Sequence, residues 1–267
     1  MDIHVYPFLR AEECCKNIQP VRWLIKGYIP HKTTCMLFGP SEHGKSFVAV
    51  DMACHIACPE IDNWHGLPLR HGEVAYFAGE GHIGLQGRIA AWKKYHKAKK
   101  INLGIFSVAF GLEKEIDSII ANVKNNFENP SLLIFDTLNR YMLGDENNAS
   151  DTGAFLRAIN VLIAELGCSV MIVHHSGLSA NTKDRVRGSS AFRGAVDSEM
   201  RLEKDEADGV ITLSQTKCKD APRQPDRFFK LETVALGQKD EDGEPMTSCV
   251  LEDLRKNVRT RKTRLSS

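Results

Sequence analysis

From Thr33 onward, short and almost wholly apolar runs alternate with longer amphipathic stretches. This is the pattern of a parallel sheet whose strands are covered on both faces by crossover helices. The apolar runs predict strands at 34–38, 74–78, 105–109, 132–136 and 169–174, with helices near 45–58, 84–98, 114–127 and 152–166. Beyond about residue 196 the pattern changes. Segments 196–203, 210–215, 228–234 and 248–251 read as strands joined by tight polar turns such as Ala207-Asp208-Gly209 and Asp242-Gly243. They predict an antiparallel extension of the same sheet, not a second domain. The expected organisation is a lead-in segment over 1–20, one α/β domain over 21–252, and a basic tail over 253–267 that lacks core residues and should be mobile.

At 267 residues the chain is long enough to bury one substantial core. The net charge of +1 confers no general attraction to nucleic acid or to acidic surfaces, so any such argument rests on where charges sit. No apolar run approaches the roughly 18 residues needed to span a bilayer, and the start of the chain has no signal-peptide core. The expectation is a cytoplasmic protein with no membrane partner. The eight cysteines form no C-x-x-C pair. Cys54, His55 and Cys58 come nearest to ligand spacing, but Ala53, Ile56 and Ala57 lie among them. Small thiols on a core helix are the expected reading, with no disulfide and no structural metal.

The chemistry begins at Gly39-Pro40-Ser41-Glu42-His43-Gly44-Lys45-Ser46, which matches G-x-x-x-x-G-K-[S/T] between a predicted strand and a predicted helix. Glycines let backbone N–H groups converge on phosphate oxygens, and the helix N-terminus adds its positive dipole end. Lys45 is expected to reach the β- and γ-phosphates of ATP, and the Ser46 hydroxyl to ligate Mg²⁺. The candidate nucleotide-binding set runs from Gly39 through Phe47. A second element is Leu132-Leu133-Ile134-Phe135-Asp136, an acidic residue after four apolar ones. Asp136 is expected to hold Mg²⁺ through water; the bland alternative is a helix-capping aspartate.

The residue after Asp136 is Thr137, so no general base stands beside it. Glu80, in Gly79-Glu80-Gly81, follows the strand expected to neighbour the phosphate-loop strand, and the carboxyl ends of parallel strands form the ligand edge. It is the candidate for polarising the attacking water; otherwise it is an exposed turn glutamate. His174 and His175 end the strand at 169–174 on that edge. His174 is the candidate sensor of the γ-phosphate, the alternative being a structural pair.

A phosphate loop, a glutamate after the following strand, an Asp-Thr pair and a His-ended strand, in that order, resemble the RecA-like ATPases. More narrowly they resemble the RepA-like and DnaB-type hexameric replicative helicases, including AAA_25-like phage and plasmid ATPases. The segment from Gly79 to Trp92, with its Glu-Gly, Gly-Leu, Arg and Ala-Trp, carries this resemblance, and so does the lead-in from Pro20 to Gly27. The resemblance covers roughly residues 20–235. It implies a RecA-like P-loop NTPase core, a mostly parallel sheet flanked by helices with antiparallel strands added at the C-terminal end. It also implies ATP and Mg²⁺ as ligands, self-association to a hexameric ring, and single-stranded DNA in its channel. Lys217 and Lys219 fall where that family places a Lys-x-Arg pair that reaches a neighbouring subunit's nucleotide. The second lysine lacks the guanidinium fork, and Arg187 or Arg193 are the substitutes.

The residues themselves offer one basic loop, 176–190, with Lys183, Arg185 and Arg187, hydroxyl residues and glycines suited to tracking phosphates. These three and Arg193 are the candidate nucleic-acid contacts. Three functions follow: a motor on single-stranded DNA in phage or plasmid replication, with any primase a separate protein; a recombination ATPase that coats single strands without unwinding; and a regulatory ATPase that binds only proteins.

Overall fold

The computed structural model describes residues 8–79, 81–175 and 190–254. The chain opens with a short helix α1 (Ala11–Lys16), none of whose residues is buried, and a small hairpin of β1 (Trp23–Ile25) and β2 (Ile29–Pro30). Then come β3 (Thr34–Gly39), α2 (Lys45–Ala57), a second hairpin of β4 (Asn63–Trp64) and β5 (Leu67–Pro68), β6 (Glu73–Ala78) and α3 (His82–His96). The middle of the chain supplies β7 (Leu103–Phe106), α4 (Leu112–Asn126), β8 (Pro130–Asp136), α5 (Ala149–Leu166) and β9 (Ser169–His175). The last part adds α6 (Ser190–Ala195), β10 (Ser198–Lys204), β11 (Ile211–Cys218), β12 (Arg227–Lys239) and β13 (Pro245–Asp253).

Nine strands form one sheet in the order β13-β12-β11-β10-β3-β9-β8-β6-β7. All six residues of β3 are buried, and their alternation divides the core. Cys35 and Leu37 join a cluster with α2 and α3; Met36 and Phe38 join one with α4 and α5. The same split recurs along β8, where Leu132 and Ile134 face one way and Leu133 and Phe135 the other. Such two-sided burial is why these strands read as unbroken apolar runs.

The fold class is as the sequence predicts, with three corrections of detail. β6 does not neighbour β3, because β9 and β8 lie between them; it pairs with β8, Ala78 opposite Asp136. β10 runs parallel to β3, Ser198 opposite Cys35, so the antiparallel extension begins at β11. The connection through α6 returns the chain to the starting edge before β10, and the tight turns follow only later. Finally, β7 covers Leu103–Phe106 and not 105–109; among the described residues it is an edge strand whose pairing with Val74 through Phe77 sets its length. The cysteines are all free, and Cys35, Cys54, Cys58 and Cys168 are buried. No helix among the described residues is long and apolar enough to cross a membrane.

Candidate functional site

The loop between β3 and α2 is shaped by close approaches that only glycine allows. A Cβ on Gly39 would lie 2.3 Å from the Leu202 carbonyl oxygen of β10. Gly44 caps α2 with φ of 87°, in the left-handed region. The strand thus ends against its neighbour, and the chain turns directly into a helix whose first N–H groups point back toward the sheet edge. The His43 Nδ1 accepts the backbone N–H of Lys204 at 2.9 Å, tying the loop to the end of β10. Burial, and then the charge of Lys45, hold the His43 pKa below its ordinary value.

Lys45 is buried at the first turn of α2. Its ammonium donates to the carbonyls of Gly39 (3.0 Å) and Pro40 (2.7 Å) and sits 3.4 Å from the His175 Nδ1. Burial lowers its pKa to about 8, with Asp136 pulling the other way. A cation held by two neutral carbonyls in a half-dry setting is short of negative charge. Phosphate oxygens would supply it.

Asp136 ends β8 and is also buried. The Tyr76 hydroxyl of β6 donates to its Oδ2 at 2.6 Å, and the Gly79 N–H donates to its carbonyl oxygen at 2.9 Å. Burial and the adjoining Asp136 push the Tyr76 pKa well up, so the phenol remains a donor. Lys45, Ser46, Phe47, Asp136, His175 and Arg88 all line one cavity of about 450 Å³ at the carboxyl edge of the sheet, together with Ser41, Glu42, Gly44, Gly81, Thr137 and Leu231. The oxygen donors Ser46 and Asp136 in one cavity with Lys45 suit a hard cation such as Mg²⁺ beside a phosphate chain.

Adjacent residues on a strand point to opposite faces, and this separates the two histidines. His175 lines the cavity, its Nδ1 3.2 Å from the Ser41 Oγ. His174 is buried on the other side, with its Nε2 3.7 Å from a Glu146 carboxylate oxygen and its ring 5.9 Å from that of Phe192. Both histidines border a second cavity of about 250 Å³ formed largely by residues 138–147, and of the two only His175 also lines the first. The geometry therefore puts His175, not His174, beside Lys45.

The remaining candidates are dispersed. Lys217 donates to the carbonyls of Arg193 (2.5 Å) and Gly194 (3.2 Å) near the end of α6, and Lys219 pairs with Asp197 at 3.0 Å. Neither lines the 450 Å³ cavity. Arg193 is exposed, with Glu199 3.7 Å from its Nε. Glu80, Lys183, Arg185 and Arg187 lie outside the described residues. Sequence reasoning missed Arg88, whose guanidinium lies 4.5 Å from the Phe47 ring centroid at the cavity wall. Its signal was present in the helix after Gly81, because α3 starts at the same edge as α2 and brings its second turn past Phe47.

Comparison with known proteins agrees with this geometry. The family model described as AAA domain (AAA_25) matches residues 6–181, which includes the phosphate loop, Asp136 and both histidines. Among solved structures the chain is similar to the RadB recombinase, with a TM-score of 0.54 at 17% identity over 76% of this chain and 88% of that one. It is also similar to a KaiC-like protein from the hyperthermophilic archaea Pyrococcus horikoshii OT3, with a TM-score of 0.56 at 16% identity over 87% of this chain and all of that one (100%). At such identities the likeness concerns architecture, and the architecture is RecA-like. Because the family model covers well over half of it, the chain belongs to the AAA domain family AAA_25, with the fold of a RecA-like P-loop ATPase.

Proposed function

We propose that the chain is an ATP-hydrolysing motor of the RepA/DnaB-type helicase family, acting on single-stranded DNA in phage or plasmid replication, with residues 21–252 as its ATPase unit. The observation that carries the nucleotide part is the convergence of Lys45, Ser46, Asp136 and His175 on one cavity at the sheet edge. In this reading Lys45 exchanges the Gly39 and Pro40 carbonyls for β- and γ-phosphate oxygens. Ser46 and Asp136 would hold Mg²⁺, which would neutralise phosphate charge, and Tyr76 keeps the Asp136 carboxylate oriented. His175 meets the γ-phosphate end and reports its presence to the segment that follows. Arg88 and Phe47 form a planar wall on which a nucleobase can stack. Glu80 activates the attacking water; its neighbour Gly81 lines the cavity.

The DNA part rests on the family resemblance and on the basic residues Lys183, Arg185, Arg187 and Arg193. Lys217 and Lys219 are the elements that would complete a neighbour's site in a ring. A recombination ATPase that coats single strands is the second reading, favoured by the architecture shared with RadB, a recombinase by its description.

Steady-state ATP turnover with and without single-stranded DNA at low salt tests the proposal, since phosphate contacts weaken steeply as salt rises. Stimulation, with ATP-dependent strand separation on a forked duplex, is the expected result. Stimulation without separation moves the assignment to the recombination reading. Unchanged turnover removes nucleic acid from the account.

A further inference from the structure

Helices α2 and α3 leave the same sheet edge and face each other through residues four apart. On α2 these are Phe47, Asp51 and His55; on α3 they are Arg88, Trp92 and His96. Positions i, i+4 and i+8 lie along one helix face, so the two sets meet as three rungs in matching order. The Arg88 guanidinium lies 4.5 Å from the Phe47 ring centroid. Trp92 Nε1 donates to Asp51 Oδ1 at 3.0 Å. The rings of His55 and His96 have centroids 5.0 Å apart. The first rung is in the wall of the nucleotide cavity, the second is buried, and the third pairs buried His55 with half-buried His96.

The middle rung is the anchor. Asp51 is 2% exposed, and its carboxylate is surrounded by N–H groups. Trp64 Nε1 lies 2.7 Å and His65 Nε2 2.8 Å from Oδ2, while Trp92 Nε1 lies 3.0 Å and His55 Nδ1 3.3 Å from Oδ1. Burial alone would raise its pKa, but His55 and His65 outweigh burial and hold it well below the carboxylate range. The ionised carboxylate accepts from Trp64, His65 and Trp92, while the His55 Nδ1–H donates to the Asp51 main-chain carbonyl at 2.8 Å. Asp51, His55 and His65 also bring three atoms of metal-ligating residues within 4.8 Å of one another. Both carboxylate oxygens take indole N–H bonds, His65 adds a third, and His55 bonds the Asp51 main-chain carbonyl, so Asp51 is a hydrogen-bonded hub between the two helices and the β4–β5 hairpin. Removing an acceptor from such a hub leaves buried donors unmatched.

We propose that Asp51 is a positioning residue for nucleotide recognition: by bonding Trp92 it fixes the register of α3 against α2 and so holds Arg88 over Phe47, where a base stacks. Asp51 itself touches no nucleotide. This inference rests on the reading of Arg88 and Phe47 as the base platform, and the two can fail separately. A platform defect acts on the base and spares the phosphates, whereas general damage to α2 weakens both.

The test compares Mg-ADP with inorganic tripolyphosphate, which has no base, by calorimetric titration of the full chain. The variants are Asp51→Asn, Trp92→Phe and Arg88→Ala. The expected result is loss of about tenfold in ADP affinity in each variant, the scale of one cation–π contact, with tripolyphosphate affinity unchanged. Trp92→Phe removes the indole N–H while keeping a smaller aromatic ring at that position, so it serves if Asp51→Asn does not fold. If Arg88→Ala weakens ADP selectively but Asp51→Asn and Trp92→Phe do not, the positioning role is overturned while the platform stands. If Arg88→Ala leaves ADP affinity intact, the platform fails and the inference with it. Equal loss of both ligands in Asp51→Asn and Trp92→Phe also overturns it, because α2 then acts only as structural support.

Discussion

Lys45 shows how a single residue can store the requirement for a ligand. Its burial favours the neutral amine, and in the unliganded protein that pulls its pKa down to about 8. Phosphate oxygens favour the ammonium, so a bound nucleotide raises the pKa and binding takes up a proton wherever the free protein has lost one. Affinity for Mg-ATP should therefore be level below pH 8 and fall by up to about tenfold per pH unit above it. Calorimetric titrations from pH 7 to 9.5 would reveal this; a level affinity across that range would place the phosphates away from Lys45. Glu80 carries a separate prediction. Replacing it with Gln keeps the side chain's size but removes the base, so ATP binding should persist while turnover drops at least a hundredfold, as general-base losses do. Turnover within a fewfold of the wild-type rate would exclude Glu80 from that role. The histidine pair marks where residue-level reading stopped short. Both were visible at the end of an apolar strand, but which of them faces Lys45 depends on strand alternation relative to a loop 130 positions away in sequence.

At the level of elements, the β3–α2, β8 and β9 units were legible because two-sided burial writes long apolar runs, and α5 because of its periodic face. The end of each was legible too, since the Gly44 turn, Asp136 and the histidines interrupt those runs. Strand order was not legible. Local hydrophobicity carries no information on which strand lies beside which, and the insertion of β9 and β8 between β3 and β6 is decided by crossover packing. Nor did the small hairpins show. β4–β5 has two residues per strand and is held by Trp64 and His65 on Asp51, a contact between distant segments. The same holds for the register between α2 and α3. The i, i+4 spacing exists in each helix separately, and only packing reveals that the two series coincide.

For the whole molecule, the sheet places the nucleotide chemistry at the carboxyl edge of the parallel strands and adds three antiparallel strands beyond β10. Lys217 and Lys219, on and just after β11, are engaged with α6 and Asp197 within their own chain. For a neighbouring subunit's site they would have to trade those partners for phosphate oxygens. In the ring proposed above, such an exchange would let hydrolysis in one site alter contacts made by the next subunit. All of this presupposes that the β3–α2 loop holds a nucleotide through Lys45. The most direct measurement is equilibrium binding of Mg-ATP to the wild-type chain and to Lys45→Ala, with circular dichroism to establish that both are folded. The account predicts about one nucleotide per wild-type chain and at least a hundredfold weaker binding by the variant, the scale of losing a charge-assisted partner from a buried phosphate site. Equal affinity in the two folded proteins would contradict it.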